Sequence, residues 1–125
     1  MMIEVQTDSH RQMVDITARV AAAIEGSGDG LCHVFVPHTT ATVVINESAD
    51  PDVARDLVAA YEAMVPSIRF AHAEGNSDSH LMATLLGSSV AVPVEGGRLC
   101  LGTWQGIFFV ELDGPRVRKV RVTLL

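Results

Sequence analysis

His38 stands at one end of an apolar run, Ala41 to Ile45, and Asn46-Glu47 stands at the other. An imidazole can accept, donate or ligate near neutral pH, and a carboxylate beside an amide can bind a cation or move a proton. Two later segments gather polar groups in the same way. His72, Glu74, Asn76 and His80 fall within nine residues, and Thr103-Trp104-Gln105 precedes a strand-like run that ends in Glu111, Asp113 and Arg116. Clusters this close in a 125-residue chain suggest one composite site.

Several chemistries are open to these residues. Open catalytic metal sites use about three protein ligands and a water, so His38, His72 and His80 are candidate ligands for a divalent metal, zinc or magnesium. Gly75 and Asn76 break any helix between His72 and His80, so their convergence must come from folding. Glu47, Asp50, Asp52 and Asp56 form an acidic run in which Asp50 is placed to cap a helix and Asp52 to complement its dipole. Asn46 and Glu47 offer oxygen ligands of the kind Mg²⁺ takes when a substrate phosphate completes its shell. Trp104 is either a core aromatic between turn glycines or the wall of a ligand pocket that Gln105 contacts. Arg116 either braces its turn or grips a phosphate with its planar fork. Ser88 and Ser89 add hydroxyls, though they lie at a helix C-terminus, the wrong dipole end for an anion. His10 and His33 are read as solvated or structural. No Gly-x-Ser-x-Gly and no Gly-x-x-x-x-Gly-Lys motif occurs, which disfavours hydrolase triads and P-loops.

The elements that must position these groups follow from periodicity. Met2 to Thr7 alternates as a strand, and Ile16, Val20 and Ile24 set a helix over Asp15 to Ile24, ended by Gly26-Ser27-Gly28. Leu31 to Val36 and Thr42 to Ile45 are strands. Asp50-Pro51 starts a second helix that runs to about Met64, with Val53, Leu57, Ala60 and Met64 as its buried stripe. Ser77 or Asp78 caps a third helix through Leu86, closed by Gly87. Strands then follow over Ser89 to Val94, Arg98 to Leu101, Ile107 to Leu112 and Val117 to Leu125, with Gly96-Gly97 and Asp113-Gly114 as hairpin turns. The fold class is α+β: twisted, mainly antiparallel sheets with two to three helices on one side, in a single compact domain spanning 1–125.

A net charge of −6 argues against a nucleic-acid surface, which needs clustered cations. Arg116, Arg118, Lys119 and Arg121 alternate partly in strand fashion and are read as a solvated face or subunit rim, with Arg116 set apart. Cys32 and Cys100 both sit in apolar strand-like runs and are expected in the core. Glu4 and Asp8 interrupt any apolar leader and no run reaches spanning length, so no membrane partner and a cytoplasmic location are expected.

The ordered set of Pro37 to Ala41, Ile45-Asn46-Glu47, Asp50-Pro51-Asp52, His72-x-Glu74-Gly75-Asn76-x-x-x-His80, Gly87-Ser88-Ser89, and Gly96 to Glu111 with Asp113-Gly114-Pro115-Arg116 resembles the YjbQ family, the secondary thiamine-phosphate synthase family. The match runs from about residue 3 to the C-terminus; Thr42 stands where many members carry a smaller residue. The resemblance implies a compact homotrimer with a cleft near the subunit boundary and with metal plausible at the histidines. Carried onto this chain, the cleft residues are His38, Asn46, Glu47, Asp52, His72, Asn76, His80, Trp104, Gln105 and Arg116. The expected activity is metal-assisted chemistry on a small phosphorylated molecule, with thiamine-phosphate synthesis as the named candidate. His38 and His80 would act as ligands or acid/base groups, His72 as a third ligand, and Glu47 and Asp52 as carboxylate partners. Asn46, Asn76, Trp104, Gln105 and Arg116 would bind cofactor or substrate. Metal-dependent hydrolysis, or a non-catalytic trimer that binds metal or a small ligand, are the alternatives.

Overall fold

The computed structural model describes residues 1–125. The elements in chain order are β1 (Met2–Gln6), β2 (Gln12–Asp15), α1 (Thr17–Ala23), β3 (Gly30–Phe35), β4 (Ala41–Glu47), α2 (Pro51–Ala63), α3 (Ser77–Leu86), β5 (Ser89–Glu95), β6 (Arg98–Leu99), β7 (Gln105–Glu111) and β8 (Val117–Leu124). The strands form two antiparallel sheets, ordered β1-β8-β3-β5-β6 and β2-β7-β4. This is the expected α+β class.

Alternation along the strands explains how the sheets stack. Val34, Val92, Val120 and Val122 of the larger sheet pack with Val43, Ile107 and Phe109 of the smaller one, and Val20 and Ile24 join that core from α1 and the residue after it. The opposite parity of β7 and β4, Val110 and Val44, faces a second cluster under α2 and α3 that contains Leu112, Tyr61 and Met82. A strand buried on both faces must be apolar at nearly every position, and Ile107 to Val110 meets that demand.

Local signals account for most boundaries. The Asp50 carboxylate accepts from the Asp52 N–H at 2.9 Å with Pro51 at the first helical position, as the sequence requires. Gly96 and Gly97 both take positive φ, 57° and 75°, the pair of angles a two-residue hairpin turn needs.

Several expectations are corrected. Asp113-Gly114 is not a hairpin turn, because β7 and β8 lie in different sheets. The N-cap of α3 is Asn76, and Ser77 and Asp78 are its first helical residues. Gln12–Asp15 is a strand against β7, and α1 begins only at Thr17, whose N–H and hydroxyl both donate to Asp15 Oδ1 at 2.9 and 2.6 Å. β4 extends through Asn46 and Glu47, because both pair with β7. The strand expected over Arg98 to Leu101 stops at Leu99. The half-buried side of α2 carries Val53, Ala54, Leu57, Val58 and Tyr61, leaving Ala60 and Met64 exposed. Cys100 is exposed while Cys32 is buried, since Leu99 and Leu101 turn inward against the core and Cys100 falls between them.

Candidate functional site

The segment Val36 to Thr40 carries the chain from the larger sheet to the smaller one, over the end where β7 stops and β8 starts. Its backbone is pinned by the Val36 N–H, which donates to Ser88 O at 2.8 Å. Its imidazole is pinned as well: the Lys119 N–H donates to His38 Nε2 at 2.9 Å. A backbone N–H can only donate, so Nε2 holds the lone pair and the proton of neutral His38 sits on Nδ1.

Beneath this segment lies a buried ion pair. Glu111 is fully buried and Arg118 is 3% exposed. Arg118 Nε donates to both Glu111 oxygens at 2.9 and 3.1 Å, and Nη2 donates to Oε2 at 2.5 Å and to Thr40 Oγ1 at 2.9 Å. Glu111 also accepts from the Thr7 hydroxyl at 2.7 Å and from the Leu112 and Asp113 N–H groups at 3.1 and 3.2 Å. Burial by itself would raise the Glu111 pKa, but the donors from Arg118, Thr7 and Asp113 outweigh it and hold the carboxyl below its usual range. This overturns the reading of Arg118 as a solvated rim residue.

Helix α3 brings His80 to the same end. Thr42 Oγ1 donates to Gly87 O, Ser79 Oγ donates to Leu112 O at 2.6 Å, and Asn76 Nδ2 donates to Asp113 Oδ2 at 3.0 Å. Asp113 also accepts from Arg116 Nη2 at 3.2 Å, so one carboxylate joins the start of α3 to the turn before β8. His38 and His80 line a cavity of about 340 Å³ together with Thr39, Thr84 and Ser88. His38 also lines an adjoining groove of about 530 Å³ with Thr40, Arg116 and Arg118. His72 stands against His80, ring centroids 5.5 Å apart and nearly perpendicular. Burial, then the charge of Arg118, lowers the His38 pKa below its ordinary value, which keeps the ring neutral at pH 7.

The remaining candidates lie elsewhere. β4 has seven residues from Ala41 to Glu47, which span about 20 Å at strand rise, so the Asn-Glu pair occupies the far end. Glu47 and Asp50 line a separate groove of about 590 Å³ with Asp15, Arg11 and Arg55. Asp52 is exposed and paired with Arg55 at 2.6 Å. Asn46 is exposed and accepts the Glu47 N–H at 2.7 Å. Trp104 is 63% exposed and walls no cavity, and Gln105 folds back to accept the Gly102 N–H at 2.8 Å. Within one chain the expected composite site is therefore two ends: His38, His72, Asn76, His80 and Arg116 at one, and Asn46, Glu47, Asp52, Trp104 and Gln105 at the other.

The histidine set does not make a metal site within one chain. No three His, Cys, Asp or Glu side chains stand close enough to hold an ion. His72 and His80 offer two donors, but His38 presents Nδ1–H, and its lone pair is taken by Lys119. A neutral imidazole so held donates instead of ligating.

A family model described as UPF0047 protein YjbQ-like matches residues 1–125. The chain belongs to the YjbQ/UPF0047 family. It is 40% identical to UPF0047 protein YugU of Bacillus subtilis over 127 residues, covering 98% of this chain and 96% of that one. It is 44% identical over 128 residues to a UPF0047 protein of Archaeoglobus fulgidus, covering all of both. Among solved structures, an uncharacterised YjbQ/UPF0047 protein of Clostridium acetobutylicum superposes with a TM-score of 0.95 at 46% identity, over 100% of this chain and 99% of that one. A conserved hypothetical protein of Thermus thermophilus gives 0.93 at 45%, with the same coverage.

In this YjbQ-family chain, residue types and motifs led to His38, His72, His80 and Arg116, placed Glu111 and Asp113 in a polar cluster without a role, and passed over Arg118 as a site residue. Parity was the available signal. Glu111 continues the inward face of Ile107 and Phe109, and Arg118 that of Val120 and Val122. Two opposite charges on inward positions of consecutive strands need each other.

Proposed function

We propose that this chain is an enzyme that acts on a small phosphorylated molecule through its histidine groove, with thiamine-phosphate synthesis as the named candidate. The observation that carries the reading is His38 and His80 lining one cavity that adjoins, across His38, a groove lined by Arg116. Joining an aminopyrimidine diphosphate to a thiazole phosphate forms a C–N bond, breaks a C–O bond and releases pyrophosphate. A catalyst for that exchange must hold oxyanions and supply donors where negative charge develops on the leaving group. His38, neutral with its proton on Nδ1, is a hydrogen-bond donor in such a site. His80 has no side-chain hydrogen bond within the chain and is free to take up or deliver a proton. No step here uses a metal.

The reading includes a homotrimer with the groove near a subunit boundary. Two features support it: the Glu47 end of one chain cannot reach its own histidines, and Met64, Ile68 and Leu85 leave apolar surface 62 to 68% exposed beside α2 and α3. A sedimentation mass equal to one chain removes this part.

The functional test is turnover with both substrates present. His80→Ala should lower it by about 100-fold or more while circular dichroism and oligomer mass stay unchanged. Unchanged turnover in that variant ends the assignment. Phosphate released from the aminopyrimidine diphosphate without the thiazole partner would turn the reading into hydrolysis.

A further inference from the structure

Arg118 spends its Nε and Nη2 groups on Glu111 and Thr40, and it makes no hydrogen bond within the chain through Nη1. Glu111 has no capacity left to accept more, since Thr7, Leu112, Asp113 and Arg118 already fill its oxygens. The guanidinium is therefore fixed, nearly buried, and still has donors to satisfy. Arg118 lines the groove of about 530 Å³, and none of the nine residues lining that groove is acidic. The groove at the other end of β4 is lined by Asp15, Glu47 and Asp50.

We infer that Arg118 and Arg116 form a phosphoryl-anion subsite in this groove, completed by His38 Nδ1–H and the Thr39 and Ser88 hydroxyls. This deepens the functional reading above and rests on it for the identity of the molecule, though not for the binding itself. Ion pairing with Glu111 serves to aim the Arg118 fork, because a guanidinium held on two nitrogens loses little further freedom when the third binds. Arg116, half exposed and held only by Asp113, supplies the mobile second fork. Donors that approach from both arginines, an imidazole and hydroxyls suit a tetrahedral oxyanion better than a planar carboxylate, which one fork satisfies. The positive charges of Arg118 and Arg116 also reach His38, where each disfavours protonation.

The test is binding of inorganic phosphate and pyrophosphate to the full chain by calorimetry, with malonate as a competing dicarboxylate. Arg118→Lys keeps a cation for Glu111 but lacks the fork. It and Arg116→Ala should each weaken phosphate binding about tenfold or more. Arg19→Ala, a loss of one positive charge on the exposed side of α1 away from both grooves, should leave binding unchanged. Should Arg118→Lys not fold, amide shifts in the wild type decide: phosphate should move Thr39, Thr40, Ser88 and Lys119 and leave Arg19 and Ala22 still. No saturable binding, binding indifferent to Arg118→Lys, tighter binding of malonate, or shifts at Arg19 and Ala22 overturns the subsite. Because turnover is not the readout, the subsite can fail while His80→Ala still abolishes activity, and it can stand if the candidate reaction is wrong.

Discussion

At the Ala41 end of β4 the Glu111–Arg118 pair is buried and each partner is held by several groups; at the Glu47 end the Asp52–Arg55 pair faces solvent and is held by a single contact. Glu111 and Arg118 share three contacts of 2.5 to 3.1 Å inside the protein. Asp52 and Arg55 share one, with both side chains more than half exposed. The same strand thus separates a preorganised polar end from an adaptable one. Preorganisation is what an electrostatic site needs, since its dipoles must not reorient as charge develops. Adaptable charges suit a surface that acquires its geometry from whatever meets it.

Removing one partner from each pair should show this contrast most strongly. Glu111→Ala leaves a buried guanidinium without its counter-ion and should cost about 3–5 kcal/mol of stability. Asp52→Ala should cost less than about 1 kcal/mol, because solvent already screens that pair. Urea unfolding of the two variants measures both. Equal losses would mean that burial does not distinguish the two ends.

The Glu47 end is loose only in its charges. A Cβ on Gly106, opposite Asn46 in the sheet, would lie 2.6 Å from Ser48 Cβ and 3.0 Å from Thr17 Oγ1. Gly106→Ala should therefore destabilise by about 1–3 kcal/mol through overpacking, although no charged group changes. A neutral result would show that the backbone at this end is as free as its side chains.

Most of the fold was legible because the elements obey periodic rules that the residues carry locally. Ile16, Val20 and Ile24 mark α1, Asp50-Pro51 marks the start of α2, and Gly96-Gly97 marks a hairpin. Gln12–Asp15 was not legible, since a four-residue strand ahead of a helix is defined by its partner β7 and not by its own pattern. The site was half legible. Residue type points to His38 and His80, but type alone cannot say that the seven residues of β4 carry Glu47 away from His38. Nor can type show that Lys119 fixes the His38 tautomer, because that contact joins residues 81 apart in sequence. Glu111 and Arg118 were legible in principle, through parity, and were obscured by the assumption that a basic run on a terminal strand faces water.

Acid should act on the preorganised end in a definite window. The folded-state pKa of Glu111 lies below its unfolded value near 4.5, so the unfolded chain binds the extra proton first. The stability this group contributes is fully present above 4.5 and is lost as pH falls through the lower folded value. Glu111→Gln should flatten that part of the stability curve. Chemical denaturation at a series of acid pH values gives the slopes, and parallel curves for wild type and Glu111→Gln would break the link between burial and the shift.

The smallest expected effect lies in a single proton on His38. Its folded pKa is lowered from 6.5, so it contributes stability above 6.5 that fades as pH falls through the folded value. Protonation puts a hydrogen on Nε2, which can then no longer accept from Lys119. Nitrogen-15 spectra of the imidazoles should show His38 with its proton on Nδ1 at neutral pH and a midpoint below 6.5. The Lys119 amide should shift with that midpoint. A ring protonated on Nε2 at neutral pH would leave Nδ1 as a lone pair and remove the donor that the phosphoryl subsite assigns to it.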